Sequence, residues 1–213
     1  MMGIVWPVLV FGILAGITWH LSRSTYNQLA HFLNSGADNS AVTHESELQR
    51  LIDTAERYYS ERKWTSAEKA FLRVLKLDHK NLTAYRRLAL VYSYLHNYAD
   101  AQECLELVMR RETTAADLHN YSTILYHAKQ SERAIQAMEQ AIELEPSLVR
   151  YMSLSKMHAL AHQPQKQLEA LLAAHEFDRT NQPVVQSVIQ WYRAHQDSER
   201  ASQWQQLLIE KNS

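Results

Sequence analysis

Two apolar patterns divide the chain. Ile4 to Leu21 is an unbroken run of 18 residues with no formally charged side chain. From residue 48 onward, apolar positions instead recur at helical spacing between short polar breaks. As a helix the first run spans about 27 Å, close to the bilayer hydrocarbon core of about 30 Å. The second pattern is that of amphipathic helices joined by short turns. Between them Tyr26, Leu29, Ala30 and Leu33 form an apolar helical edge, and residues 34–40 are polar and turn-rich. The pattern predicts a transmembrane anchor over 1–22, a juxtamembrane helix and polar linker over 23–47, and an all-α body over 48–213.

The body repeats. Segments 48–81, 82–114, 115–147, 148–181 and 182–213 align with a period of 33 to 34 residues. Ala55, Ala89, Ser122 and Ser155 share the eighth position, where the fifth segment has Ile189. Ala67, Ala101, Ala134 and Ala201 share the start of a second helix, where the fourth segment has Gln167. One turn later come Phe71, Leu105, Met138 and Leu171, followed by Val74, Val108, Ala141, Ala174 and, in the last segment, Leu208. Two antiparallel helices cross closely only where small side chains meet, and larger ones fill the adjacent groove. A single helix pair cannot bury its apolar face, so neighbouring pairs stack into a continuous core. Tyr58 and Tyr92 are expected to pack in that seam. The polar residues Glu199, Arg200, Gln203, Gln205, Gln206 and Glu210 of the last helix suit a terminal cap facing water.

This spacing resembles the tetratricopeptide-repeat (TPR) signature. Trp64-x-x-Ala67-x-x-x-Phe71-x-x-Val74-Leu75-x-Leu77-Asp78 carries it best, and Ala134-x-x-x-Met138-x-x-Ala141-Ile142-x-Leu144-Glu145-Pro146 nearly as well. The resemblance implies a right-handed α-solenoid of about five helix pairs. Gln167 and Ile189 depart from the pattern, so the fourth and fifth pairs are expected to be the least regular. In the family, the first helix of each repeat lines a concave groove. Carried over position by position, the groove comprises Ile52, Glu56 and Tyr59, then Arg86, Leu90 and Tyr94, then His119, Thr123, Tyr126 and His127, flanked by Arg87 and Asn120. Ile52 and Glu56 stand where relatives that clamp chaperone carboxyl ends carry Lys and Asn, which argues against that specificity.

Composition narrows the chemistry. All four glycines lie within residues 1–36, although average usage would place roughly 12 in the remainder. This disfavours sheets and phosphate-cradling loops. Net charge is −1, without the basic stripe that nucleic acid needs. Cys104 is the single cysteine and can form neither an intramolecular disulfide nor a thiolate zinc site. His158 and His162 stand at i, i+4, but no glutamate follows the first histidine. No catalytic, cofactor or metal constellation is expected, and none of the chain reads as an enzyme.

In the first run, Trp6 and Trp19 are placed to anchor at the two interfaces. A cleaved signal peptide is the competing assignment. It is disfavoured because no Lys or Arg precedes the run and the run exceeds a usual apolar core. Arg23 follows the run, which by the positive-inside rule places the body in the cytoplasm. The resemblance to bacterial membrane-anchored TPR proteins implies the bacterial inner membrane as the location. Gly12 and Gly16 have a spacing that lets membrane helices pair as a homodimer, although glycine is also frequent in such helices without pairing. The expected function is a membrane-tethered scaffold that binds a protein segment in the groove. The alternative is a structural subunit or assembly factor held by the anchor and the convex face.

Overall fold

The computed structural model describes residues 45–210. The anchor expected over 4–21, with Trp6, Gly12, Gly16 and Trp19, and most of the linker lie outside them. Among the described residues no helix is long and apolar enough to cross a membrane. The chain divides into two compact units, Met1–Leu51 and Ile52–Ser213, and the second is the repeat body.

The described residues are all-α, with ten helices and no strand. Helix α1 covers 45–60, so residues 45–47, expected in the linker, are already helical. Then follow α2 (Trp64–Leu77), α3 (Leu82–Tyr94), α4 (Tyr98–Met109), α5 (Ala115–His127), α6 (Ser131–Leu144), α7 (Leu148–Leu160), α8 (Pro164–Phe177), α9 (Gln182–Ala194) and α10 (Ser198–Glu210). Within unit two each helix from α2 to α10 packs on the next. The fourth and fifth pairs form like the others. Ile189 is buried, Ala201 packs with Leu171, Val188 and Tyr192, and Gln167 stays half-buried.

The close crossings explain this stacking. Ala55, Ala67, Ala89, Ala101, Ser122 and Ala134 are fully buried, and so are Leu105, Met138, Val74, Val108, Ala141 and Ala174 beside them. A serine is tolerated at such a crossing only if its hydroxyl finds a partner. Ser122 Oγ donates to the carbonyl of Ala134 at 2.6 Å.

Chain reversal within each pair uses one device five times. The second residue past the helix end is left-handed: Arg62, His96, Lys129, His162 and Gln196, with φ of 57–64°. The next amide closes back on a carbonyl five residues earlier, as in Lys63 N to Tyr58 O and Gln130 N to Leu125 O, both 2.9 Å. Those bonds satisfy carbonyls that the helix end would otherwise orphan. The A helices start on side-chain caps instead. Asn81, Thr114, Ser147 and Asn181 each accept from the amide three residues on, and Thr114 with Asp117 forms a reciprocal capping box.

No glycine occupies the left-handed sites, although glycine alone adopts that conformation without a Cβ clash. Lys129→Gly is therefore expected to raise the free energy of unfolding by about 0.5–1 kcal/mol, after offsetting the entropy glycine gains in the unfolded chain. Lys129→Ala, which keeps the Cβ, should give no such gain. Urea titrations of the two variants check this, and equal effects would refute it.

Candidate functional site

The residues carried over to the groove lie on α1, α3 and α5, and the register between repeats decides what each is doing. The ninth position of one repeat approaches the sixth of the next. Glu56 Oε1 accepts from Arg87 Nε at 2.7 Å, and the same guanidinium lies 5.0 Å from the centroid of the Tyr59 ring. The fifth position approaches the third of the next repeat. Arg86 donates from Nε to Asp117 Oδ1 at 2.8 Å and from Nη2 to Asp117 Oδ2 at 3.0 Å, and it also reaches Glu112. Asp117 is 1% exposed. Burial alone would raise its pKa, but the hydrogen bonds from Arg86 and Thr114 more than offset this and hold the carboxyl below its usual range. Arg86 is thus a lock between repeats two and three. Of the residues expected to line the groove, Arg86 therefore has its fork engaged by a bidentate partner of the next repeat.

One repeat later the lock is inverted. His119 takes the place of Arg86, and Arg150 takes the place of Asp117. The His119 pKa is lowered, first by burial and then by the charge of Arg150. Arg150 is itself buried and is held by the Glu145 carbonyl, the Glu145 carboxylate at 3.0 Å and Ser147 Oγ. The equivalent positions at the outer seams are apolar, Ile52 with Ala84 and Met152 with Val184.

The aromatic part of the groove assembles at the A-to-B turns. Trp64 stacks on Tyr94 at 4.2 Å between centroids and 8° between planes, and meets Tyr59 edge-on at 5.6 Å. Tyr98 lies nearly parallel to His127 at 6.2 Å, and His127 meets Tyr126 edge-on at 5.4 Å. Both stacks join the first residue of one B helix to the last residue of the next A helix. Trp64, Tyr98 and His96, whose Nδ1 lies 2.8 Å from Tyr98 Oη, were not among the expected groove residues. The repeat register could have found Trp64 and Tyr98, since both occupy the same position. Tyr94 remains 54% exposed, and His127 is exposed as well. Ile52, Leu90, Asn120 and Thr123 are half-buried. Thr123 donates back to the His119 carbonyl.

Two cavities open on the A helices further along. One of about 270 Å³ is lined by Thr123, Tyr126, His127, Ser153, Lys156 and Met157. Another of about 300 Å³ includes Lys156, Gln167, Gln190, Trp191 and His195. The histidine pair considered as metal ligands does not share a helix face. His158 is 3% exposed with Nδ1 2.9 Å from Gln163 Oε1, whereas His162 lies beyond the end of α7 in the left-handed turn. Among the described residues no group of His, Cys, Asp or Glu could hold a metal ion. Cys104 is buried, and burial pushes its thiol up to about 12, far from a reactive thiolate.

Residues 118–148 match the family model described as Tetratricopeptide repeat. No curated protein matches the sequence significantly. Among solved structures the chain is similar to MamA, with 20% identity and a TM-score of 0.67 over 77% of this chain and 91% of that one. It is similar to YrrB, described as a TPR protein with an unusual peptide-binding site, with 20% identity and a TM-score of 0.60 over 75% and 84%. It is also similar to PilF of Pseudomonas aeruginosa, with 18% identity and a TM-score of 0.64 over 78% and 77%. At these identities the likeness is one of fold.

The inverted lock makes the third seam sensitive to acid. The folded-state pKa of His119 lies below its ordinary 6.5, so the unfolded chain binds the proton more readily. The contribution of neutral His119 is fully present above pH 6.5 and is lost as pH falls through that value toward the lowered folded pKa. His119→Gln should flatten the pH dependence of the unfolding free energy between pH 5 and 7 relative to wild type. Parallel slopes for the two proteins would contradict this.

Proposed function

We propose that this chain, which belongs to the tetratricopeptide-repeat family, is a non-enzymatic scaffold whose A-helix face holds a segment of a partner protein. The observation that carries this reading is the aromatic surface at the A-to-B turns. Tyr94 is backed by Trp64 yet half open to solvent, with Tyr59, Tyr126 and His127 continuing the face. Rigid aromatic rings already stacked on a neighbour lose little conformational freedom when they bind, which is why such residues dominate interface energetics. Glu56, Arg87, Leu90, Asn120 and Thr123 supply the surrounding polar and apolar rim. YrrB, on a similar fold, is described as having an unusual peptide-binding site, a precedent for peptide binding by a protein of this fold.

The tether belongs to the same proposal and rests on sequence. Residues 4–21 are long and apolar enough to span a bilayer. Arg23 favours a cytoplasmic body, and Gly12 with Gly16 offers a face for pairing two copies. The second reading, a subunit held in a larger membrane complex by surfaces other than the groove, is favoured by a different feature. Leu144, Val149 and Phe177 are more than half exposed at the turns that lead from one repeat to the next.

Photo-crosslinking of the full-length protein in its membrane, followed by quantitative capture, tests the groove. Tyr94→Ala combined with Tyr126→Ala should lower recovered partner at least about fivefold, as expected for truncated hot spots. The same variant should fractionate as wild type does. Deleting residues 1–22 should move the chain to the soluble fraction while the groove keeps its partner. Undiminished capture by the double variant would reject the groove. Loss of all partners on deletion of 1–22, with the groove intact, would favour the second reading. Arg86 is unsuitable for this test, since changing it breaks the seam to Asp117.

A further inference from the structure

We infer that the A-helix face of repeats three to five receives an acidic side chain of the partner segment on Lys156, with the partner's neighbouring uncharged side chains in the cavities on either side. The inference rests on the groove reading above and extends it to a part of the face that the family signature did not single out. Lys156 is exposed on α7 and is the one lining residue common to the cavities of about 270 Å³ and about 300 Å³. It makes no ion pair among the described residues. Register explains why. Glu56, at the ninth position of the first repeat, is neutralised by Arg87 at the sixth position of the second. Lys156 also stands at a ninth position, but the sixth position of the next repeat is Ser187, whose hydroxyl donates to the Pro183 carbonyl of its own helix.

No carboxylate lines either cavity. The groups around the ammonium are hydroxyls, amides and rings. Thr123 and Ser153 donate to carbonyls of their own helices, so they add polarity without countering the charge. The cations nearer the start of the body, Arg86 and Arg87, are already satisfied by Asp117, Glu112 and Glu56. An unpaired cation in a recess without carboxylates complements an anion and repels a basic segment, and partial enclosure strengthens the pairing relative to an open surface. The partner that fits is a segment with an internal Asp or Glu flanked by uncharged residues, rather than one recognised by its terminal carboxyl group.

The test uses full-length protein and random dodecamers displayed on phage, fused at their C-termini to the coat protein so that no free carboxyl end is offered. Wild type should select peptides enriched in Asp and Glu. As synthetic amidated peptides these should bind about tenfold more weakly to Lys156→Gln, more weakly still to Lys156→Glu, and less well as salt rises. Circular dichroism should show both variants folded, since Lys156 is at the surface. Selected peptides without acidic enrichment, weakened by Tyr94→Ala or Tyr126→Ala but not by Lys156→Gln, would overturn the inference and leave the groove reading standing. Peptides insensitive to all of these substitutions would overturn both.

Discussion

The approach of the two helices in each repeat is the constraint on which the rest of the molecule depends. With alanine or serine at the crossing, the backbones come close enough for Ser122 to bond directly to the main chain of the facing helix. The large residues one turn away then close the gap from the side. That spacing sets the tilt at which one pair meets the next. It also fixes which position of one A helix reaches which position of the following one. Glu56 with Arg87 and Arg86 with Asp117 are each 31 residues apart because the stack enforces that register. The face offered to a partner is whatever this register leaves uncompensated.

Seen this way, charge on the A-helix face is distributed by competition between stacking and binding. In the first half of the body stacking takes the cations. A bidentate guanidinium on a buried carboxylate is worth more as a seam than as a surface donor, since removing one partner strands the other away from water. What remains there is aromatic area. In the second half Ser153 and Ser187 replace the counter-charges, and cavities open beside Lys156. Gln167 contributes to one of them. It is a half-buried amide in place of the usual small residue, so a departure from the repeat pattern and an opening in the face fall together.

How much of this could be read from the sequence follows from the distance over which each feature is decided. The helix pairs and their core were legible, because small and large residues recur at a fixed period and burial follows from that period alone. The left-handed turns were not. Glycine is their usual signal, and Arg62, His96, Lys129, His162 and Gln196 carry none of it; only their common place in the repeat marks them. The same turn separates His162 from His158, so counting i, i+4 along an assumed continuous helix gave the wrong face. The Arg86–Asp117 pairing was not legible for a different reason. The family position says which way a residue points, but the neighbour that occupies it is fixed by the next repeat. Comparing the fifth position with the third position of the following segment would have exposed Asp117.

The seams are therefore not equivalent, although the helices are. Repeats two and three are joined by an ion pair with a buried carboxylate. Repeats three and four place a half-buried imidazole opposite a buried guanidinium, an arrangement that is tolerated only while the imidazole is neutral. In a linear array the stability of the whole is close to a sum over repeats and their interfaces, so acid acts on the array through the third seam first. The cavity lined by Thr123, His127 and Lys156 spans this same interface, between α5 and α7. A partner that fills it contacts both repeats and adds its binding energy to that seam, so occupancy and rigidity there must rise together by linkage.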